Sequence, residues 1–185
     1  ALGLDAQELA GKLATDKGFV FVARQVEWEE AERVAALELP GIHSYPEPKR
    51  LYPQGSLAAQ VVGFVNIDNQ GIEGLEFHYE QELNGRPGIL EAETDPRGQV
   101  IPHGEYNVVP AVPGSDLVVT LDREIQFIAE EVCGETLTRT GARRCSAVVL
   151  DPVSGEVLAM VTLPGFDPAD RSETNPDRFR NWPAL

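Results

Sequence analysis

The stretch from Gly114 to Asp167 constrains the fold more than any other part of this chain. It opens with a run rich in Val and Thr, 116–121, which predicts a short strand. Asp122 follows at a position where its carboxylate can cap a helix. Apolar residues then recur at helical spacing and predict a helix with one buried face: Ile125, Ile128, Ala129 and Val132.

The same stretch ends in the pattern of a β-hairpin. Two runs rich in Val, Ala and Leu, 147–150 and 157–163, are typical of strands. Between them, Asp151 and Gly155 delimit the sequence Asp-Pro-Val-Ser-Gly, which carries the residue types of a turn. We therefore expect the helix to be followed by two antiparallel strands.

The composition is that of a folded acidic protein. Of the 185 residues, 42% are hydrophobic and 24% are charged, which is typical of a chain with one or two modest cores. Fifteen Lys and Arg residues stand against 30 Asp and Glu residues, a formal net charge of −15. Such a charge repels nucleic acid and anionic lipid, so neither is expected as a direct partner. No run approaches the roughly 20 apolar residues of a membrane helix.

The two cysteines, Cys133 and Cys145, flank the end of the predicted helix and the start of the hairpin. Two interpretations stay open: a disulfide that closes a short loop, or two buried free thiols. Neither cysteine has a metal-binding partner at the usual spacing, and the three histidines, His43, His78 and His103, are far apart in sequence. We therefore predict no metal site, no redox catalysis and no cofactor.

The first half of the chain predicts short helices and strands. Residues 5–14 and 27–37 have the apolar spacing of helices, and 19–23 is predicted to be a strand. Three prolines keep 42–52 extended, because proline is excluded from a helix interior.

The middle of the chain predicts one more helix. Residues 75–83 carry Leu or Tyr at every fourth position, and Asn84-Gly85 is expected to end that helix in a left-handed conformation. A turn is predicted at Asp95-Pro-Arg-Gly98, and 108–113 is predicted to be a linker.

Several short motifs resemble, in their order, the class B penicillin-binding proteins, which are bacterial cell-wall enzymes that β-lactams acylate. In the first half the motifs are Arg50-x-Tyr52-Pro53, Ala58-Ala59, Val62-Gly63, Gly71-x-x-Gly74-Leu75-Glu76 and Asp95-x-x-Gly98. In the second half they are Thr120-Leu121-Asp122, Ile125-Gln126, Ala129-Glu130, Asp151-Pro152, Gly155-Glu156, Leu158-Ala159-Met160, Pro164-Gly-Phe-Asp167 and Arg180-Asn181. Each motif alone is weak, and the resemblance rests on their joint order over roughly residues 17–182.

The resemblance implies an α+β fold in two parts. Residues 1–113 would be the pedestal, or dimerisation domain, an irregular module of mixed short strands and helices. Residues 114–185 would be the truncated start of the transpeptidase domain, which opens with a helix and an antiparallel β-hairpin.

The resemblance also implies a function in peptidoglycan synthesis and cell-wall crosslinking, during cell division or elongation. The pedestal would scaffold its own transpeptidase domain and contact cell-wall synthesis proteins such as a membrane glycosyltransferase, or form a homodimer. The family acts on the extracytoplasmic face of the bacterial cell membrane, where an N-terminal segment anchors it. We expect this chain to be a fragment without that segment.

The chemistry of the family is acyl transfer through a serine that a nearby lysine activates. None of the three lysines, Lys12, Lys17 and Lys49, has a serine three positions earlier, and Ser-x-Asn and Lys-Thr-Gly do not occur. Arg139-Thr140-Gly141 imitates the last motif, but we expect it to end the helix. We therefore predict no catalytic residue and no covalent penicillin binding in these 185 residues.

Two alternatives stay open beside a non-catalytic pedestal. The chain could be a slice of an intact transpeptidase whose catalytic part is absent, or a secreted binding module of unrelated origin. The unrelated module predicts some arrangement other than helix and hairpin over 122–160.

Arg50 and Glu76 are the charged pair among the pedestal motifs. A guanidinium and a carboxylate form a geometrically specific ion pair, which suits holding the pedestal or docking it on the catalytic domain. The competing interpretation is two unrelated surface charges. The remaining residues assigned structural roles are Tyr52, Pro53, Gly71, Gly74, Asp122, Asp151 and Gly155.

Overall fold

The computed structural model describes residues 2–93, 101, 106–171 and 175–184. These residues contain α-helices of 4 to 18 residues, three two-stranded antiparallel sheets and irregular segments, so the predicted α+β class is confirmed. The predicted turn at 95–98 and His103 lie outside the described residues. Within the described part, none of the helices combines the length and the apolarity needed to cross a membrane.

The chain divides into two compact units, residues 1–50 and 51–185. The first unit contains the two helices predicted there, α1 (Ala6–Leu13) and α2 (Trp28–Ala35). Asp5 caps α1, because its carboxylate accepts two backbone N–H groups of the first turn at 2.9 Å.

The strand predicted at 19–23 is wrong. The segment is irregular, and Phe19 and Phe21 stack edge to face with ring centroids 4.8 Å apart. Arg24 lies over the Phe21 ring at 4.8 Å, and its Nε donates to the Glu47 carboxylate at 2.9 Å. Side-chain contacts thus hold a segment for which the described residues supply no strand partner.

The second unit begins with five short elements between residues 59 and 83. They are α3 (Ala59–Val62), β1 (Phe64–Val65), β2 (Gly71–Glu73), α4 (Gly74–His78) and α5 (Glu80–Leu83), and β1 pairs with β2. The single helix predicted over 75–83 is wrong in one respect, because Tyr79 leaves helical geometry and separates α4 from α5. Gly85 has a φ of +66°, the left-handed conformation expected after Asn84.

A two-stranded ribbon follows, formed by β3 (Ile89–Ala92) and β4 (Tyr106–Val109). The linker predicted at 108–113 is wrong. Its first residues belong to β4, and Val112 exchanges two backbone hydrogen bonds with Arg86, at 2.8 and 2.9 Å. The apolar residues of this segment therefore complete a ribbon rather than join two domains freely.

The last third forms α6 (Arg123–Thr140), β5 (Cys145–Leu150) and β6 (Val157–Leu163), followed by two short 3-10 helices at Pro176–Arg178 and Trp182–Ala184. The strands β5 and β6 are antiparallel neighbours with Val148 opposite Met160. The predicted helix and hairpin are confirmed.

The strand predicted at 116–121 is wrong. The segment is irregular, and it reaches β6 only at its end. There, Thr120 Oγ1 donates to the Val157 carbonyl at 2.7 Å, and the Asp122 N–H donates to the Leu158 carbonyl at 2.8 Å. Val118 is 92% exposed, so it does not pack against a neighbouring strand, and its β-propensity alone does not form one.

The buried face of α6 differs from the predicted apolar stripe. Ile128 and Val132 are 57% and 55% exposed, whereas Gln126 and Cys133 are buried. The helix is therefore oriented by a polar side chain that finds hydrogen-bond partners on β6, and not by its apolar residues alone.

Candidate functional site

Segment 51–65 packs against the last third of the chain through a small aromatic core. Ala59, Phe64 and Phe166 are its buried members, and Tyr52 and Phe179 pack against them. The three phenylalanine rings meet edge to face with centroids 4.9 to 5.7 Å apart, an arrangement that favours aromatic pairs beyond the area they bury. We call this contact between 51–65 and 122–180 the joint.

The motif residue Tyr52 anchors one side of the joint. Its hydroxyl accepts a hydrogen bond from the Val65 N–H at 3.0 Å. Pro53 opens the turn after it, in which the Gly55 N–H donates to the Tyr52 carbonyl at 2.9 Å. The Arg-x-Tyr-Pro motif thus turns the chain and ties the turn to β1.

Arg171 connects β1 to the opposite side of the joint. Its guanidinium lies over the Phe64 ring at 4.3 Å, and its Nη2 donates to the Val65 carbonyl at 3.1 Å. The same side chain also donates to the Pro168 carbonyl. One planar cation therefore satisfies two carbonyl groups and covers an aromatic face.

A polar network completes the joint beside the aromatic core. Gln126 is 1% exposed; its Nε2 donates to the Met160 carbonyl at 3.1 Å, and its Oε1 accepts from the Met160 N–H at 2.8 Å. The same Nε2 donates to Glu130 Oε1 at 2.8 Å, and that oxygen also accepts the Ala58 N–H at 2.8 Å. Segment 51–65, α6 and β6 are thereby joined through two side chains.

The glycines of the pedestal motifs allow close backbone contacts. A Cβ on Gly74 would lie 2.6 Å from the Gly63 nitrogen, and one on Gly71 would lie 2.1 Å from the Glu76 carbonyl oxygen. Gly63 and Gly74 also have φ of +81° and +64°. Any side chain at these positions would push β1 and β2 away from α4.

Glu76 is 5% exposed in the second unit, and Arg50 is the last residue of the first unit. The ion pair between them stays a prediction, which the melting temperature of Arg50→Ala tests. The carboxylate of Glu80 accepts a hydrogen bond from the Gly71 N–H at 2.7 Å and thereby holds the start of β2.

The motif aspartates in the last third support local structure. Asp122 caps α6 by accepting the Glu124 and Ile125 N–H groups, both at 2.9 Å. Asp151 accepts the Val153 and Ser154 N–H groups at 2.7 and 3.0 Å, and Gly155 closes the turn with a φ of +78°.

These two hydrogen bonds have an electrostatic consequence for Asp151. The backbone N–H of Ser154, followed by that of Val153, stabilises the ionised carboxylate and lowers the pKa of Asp151 below its ordinary value. The aspartate thus stabilises the hairpin turn most strongly in its charged form.

Cys133 and Cys145 form a disulfide in the structure, with their Cα atoms 5.6 Å apart. The bond links the middle of α6 to the first residue of β5, and Cys133 is buried. The sequence left open either a disulfide or two free thiols, and the structure contains the disulfide.

The histidine and the Lys-Thr-Gly-like segment that the sequence raised as chemical candidates lie at helix ends. His78 is exposed at the end of α4, its ring 4.8 Å from that of Tyr79. Gly141 ends α6 in a left-handed conformation, as expected for Arg139-Thr140-Gly141. Among the described residues, no group of three or more His, Cys, Asp or Glu side chains is placed to hold a metal ion.

Several residues of the joint received no role from the sequence. Gln126 and Glu130 belong to quoted motifs, but their types gave no hint that they bond to Met160 and Ala58. The aromatic partners Phe64, Phe166 and Phe179 are distant in sequence, so only a search for apolar residues beside each motif could have connected them.

Comparison with known proteins identifies the family. The family described as "Penicillin-binding Protein dimerisation domain" matches residues 5–119. The chain is 34% identical to peptidoglycan D,D-transpeptidase FtsI of Escherichia coli K12 over 183 residues, and 38% identical to penicillin-binding protein PbpB of Mycobacterium tuberculosis over 181 residues. Each alignment covers 98% of this chain, but 31% and 26% of the respective relative.

The structural comparison agrees. A peptidoglycan synthetase from Bifidobacterium adolescentis superposes with a TM-score of 0.61 at 30% identity, over 90% of this chain and 31% of that one. The chain therefore belongs to the penicillin-binding protein dimerisation domain family, and the resemblance to class B penicillin-binding proteins is confirmed. It spans under a third of the length of these three relatives.

Proposed function

We propose that this chain is a scaffold that supports the transpeptidase domain of a class B penicillin-binding protein in peptidoglycan crosslinking. The observation that carries the proposal is the network of Gln126 and Glu130, which bonds segment 51–65 to both α6 and β6. A catalytic domain that begins with α6 and β6 would be held at a fixed angle by such a network. We assign 1–113 to the pedestal and 114–185 to the start of the transpeptidase domain.

The chain contributes support and no nucleophile to this reaction. In the family, the serine of a Ser-x-x-Lys motif attacks a peptide carbonyl. We expect the reading frame after Leu185 to encode that motif within about twenty residues. Residues 1–185 alone should give no covalent adduct with a fluorescent penicillin, and a labelled band would overturn this assignment.

The scaffold itself is tested in the full-length product of the gene. Glu130→Ala removes the acceptor of the Ala58 N–H, whereas Glu131→Ala changes the exposed neighbour on the same helix. We expect Glu130→Ala to slow labelling by fluorescent penicillin and to lower the melting temperature, with Glu131→Ala unchanged. Equal labelling rates for the two variants would contradict a supporting role of the joint.

The family name and the ribbon of β3 and β4 favour a protein partner for the pedestal. Leu90 and Val108 are 66% and 56% exposed and lie opposite one another in the ribbon. A second copy of the chain, or a membrane glycosyltransferase of cell-wall synthesis, would cover these apolar side chains. With the family resemblance, such a partner supports our proposal that the protein works on the extracytoplasmic face of the membrane, held by an N-terminal anchor.

Light scattering over a range of concentrations tests self-association. A homodimer should dissociate in Leu90→Asp and persist in Leu51→Asp, which introduces the same change at a residue that is 71% exposed outside the ribbon. A monomer at every concentration would leave a heterologous partner as the occupant.

A further inference from the structure

A groove of about 400 Å³ lies between the turn that follows Tyr52 and the exposed side of α6. Leu57 lines the groove from the turn, and Phe127 and Ile128 line it from the helix. Phe127 is 58% exposed and Ile128 is 57% exposed, so two large apolar side chains stay in contact with water. We call it the α6 groove.

The two walls of the α6 groove are a hydrogen-bonded turn and a helix. In the turn, the Gly55 N–H donates to the Tyr52 carbonyl at 2.9 Å, and the Leu57 N–H donates to the Gln54 carbonyl at 3.2 Å. The main-chain groups of α6 bond along the helix. Neither wall is a strand edge, so a ligand cannot bind by adding a strand and must be recognised through side chains.

The α6 groove crosses the joint. Leu57 directly precedes Ala58, whose N–H donates to Glu130 at 2.8 Å, and Phe127 directly follows Gln126. A ligand in the groove therefore contacts both segment 51–65 and α6. Such a position suits a protein partner that recognises the assembled joint rather than either part alone.

The exposed side of α6 beside the groove is acidic. Glu124 lines the groove, and Glu131 and Glu135 follow Ile128 by one and two turns of helix. All three glutamates are exposed, and none forms an ion pair with a described residue. Arg123 is the one basic residue among the described residues of the lining. This side of the helix therefore carries more negative than positive charge, which complements a basic partner.

We propose that the α6 groove docks a basic amphipathic helix of a partner protein. The apolar face of that helix packs against Leu57, Phe127 and Ile128, and its lysines or arginines lie beside the acidic side of α6. A second copy of this chain fits the groove less well, because two copies with a formal net charge of −15 each repel one another. The proposal concerns a surface other than the β3–β4 ribbon, and it does not depend on the scaffolding function.

Synthetic peptides test the chemistry of the partner. The probe is a fluorescent helical peptide of leucine and lysine, with leucine at every third or fourth position. One control peptide has the same composition in an order without an apolar face, and another has glutamate in place of lysine. We expect saturable fluorescence anisotropy with the probe alone, both for residues 1–185 and for the full-length product of the gene. No saturable binding of the probe, or equal binding of either control peptide, would overturn the proposal.

A second outcome concerns the longer protein. Binding of the probe to residues 1–185 but not to the full-length product would mean that another part of the same polypeptide covers the groove, which would also overturn the proposal. Light scattering tests the remaining occupant. A dimer of the parent chain that dissociates in Ile128→Asn would identify a second copy in the groove and overturn the assignment to a basic partner.

Apolar variants locate the binding surface. Phe127→Asn with Ile128→Asn should weaken binding of the probe by about tenfold or more, because both apolar contacts from α6 are lost. The control pair, Val118→Asn with Val153→Asn, makes a similar change at residues that are 92% and 95% exposed outside the groove lining. It should leave the affinity within about twofold. Equal affinities for the two pairs would exclude the groove as the binding surface.

A charge pair provides a second set of variants that does not alter the apolar lining. Glu124→Gln with Glu135→Gln should weaken binding several-fold at low salt and less at high salt, because the attraction is screened. Glu29→Gln with Glu32→Gln removes the same charge from exposed positions on α2 and should leave the affinity within about twofold. Melting curves establish that each variant is folded. Equal weakening by the two pairs would show diffuse attraction to an acidic protein and overturn the proposal.

Discussion

The side-chain amide of Gln126 pairs with the main chain of Met160 as a neighbouring strand would. Its Nε2 donates to the Met160 carbonyl at 3.1 Å, and its Oε1 accepts the Met160 N–H at 2.8 Å. Met160 lies opposite Val148 in the hairpin, so its own strand partner is on the other side. A single glutamine on α6 therefore satisfies two groups on the free edge of β6, and with Glu130 it fixes the helix on the hairpin.

Replacing Gln126 tests this pairing. Gln126→Leu keeps the volume but leaves the Met160 N–H and carbonyl without partners in a buried place. We expect a loss of about 2 to 4 kcal/mol in the free energy of unfolding, measured by urea denaturation. Gln81→Leu makes the same change at an exposed position and should cost less than about 0.5 kcal/mol. A similar loss in both variants would mean that the amide is not needed.

Gly74 tests the close contact inside the pedestal motifs. Gly74→Ala combines a φ of +64° with a Cβ 2.6 Å from the Gly63 nitrogen and should destabilise by about 3 kcal/mol or more. Gly141→Ala is the matched control, since Gly141 has a φ of +66° and no atom within 4 Å of the added Cβ. It should cost only about 1 kcal/mol, the penalty of the left-handed conformation alone. Equal losses in thermal unfolding would show that the contact tolerates a methyl group.

The disulfide should stabilise the last third of the chain under oxidising conditions. Cys133 and Cys145 are 12 residues apart in sequence, and a bridge over a loop of this size contributes about 3 kcal/mol by restricting the unfolded chain. Dithiothreitol should therefore lower the melting temperature of the chain. The variant with both cysteines changed to serine should start lower and show no response to the reductant, and a response in that variant would contradict the assignment.

The turn at Asp151 predicts a pH dependence. Because the pKa of Asp151 is lowered in the folded chain, its carboxylate adds stability that is fully present above the ordinary aspartate pKa of the unfolded chain. That stability is lost as the pH falls through the lower pKa of the folded state. Asp151→Asn should thus be less stable than the parent chain at pH 7, and the difference should shrink at about pH 2 to 3. Urea denaturation at both pH values measures it, and a constant difference would exclude a charge effect.

Features that depend on contacts within a few residues were predicted from the sequence, whereas features that depend on distant strand partners were not. Asp122, the 151–155 turn and the helix that begins at Arg123 follow from contacts within a few residues, and the sequence predicted all of them. The strand at 116–121 failed because a strand needs a partner that no local pattern supplies. The linker at 108–113 failed for the opposite reason, since β3 provides a partner for an apolar run that looked like a connection.

The candidate site was predictable only in part. The motifs pointed to Tyr52, Gly71 and Gly74 as structural residues, and the structure adds the hydrogen bond from the Val65 N–H to Tyr52 and the close backbone contacts at the two glycines. They gave no role to Gln126 or Glu130, because an amide or a carboxylate on a helix is usually solvated. Burial became favourable for Gln126 only where β6 offered a free N–H and carbonyl.

The amino-acid sequence by itself determined the family and, through that resemblance, the α+β class, because the motifs occur in one joint order. It also determined the helix and hairpin of the last third, because caps, turns and helical spacing act within one or two turns of chain. Tertiary structure decided which face of α6 is buried, where the helix at 75–83 breaks, and how 51–65 meets β6. These outcomes depend on residues distant in sequence competing to satisfy buried polar groups and fill apolar space. No local pattern records the result of that competition.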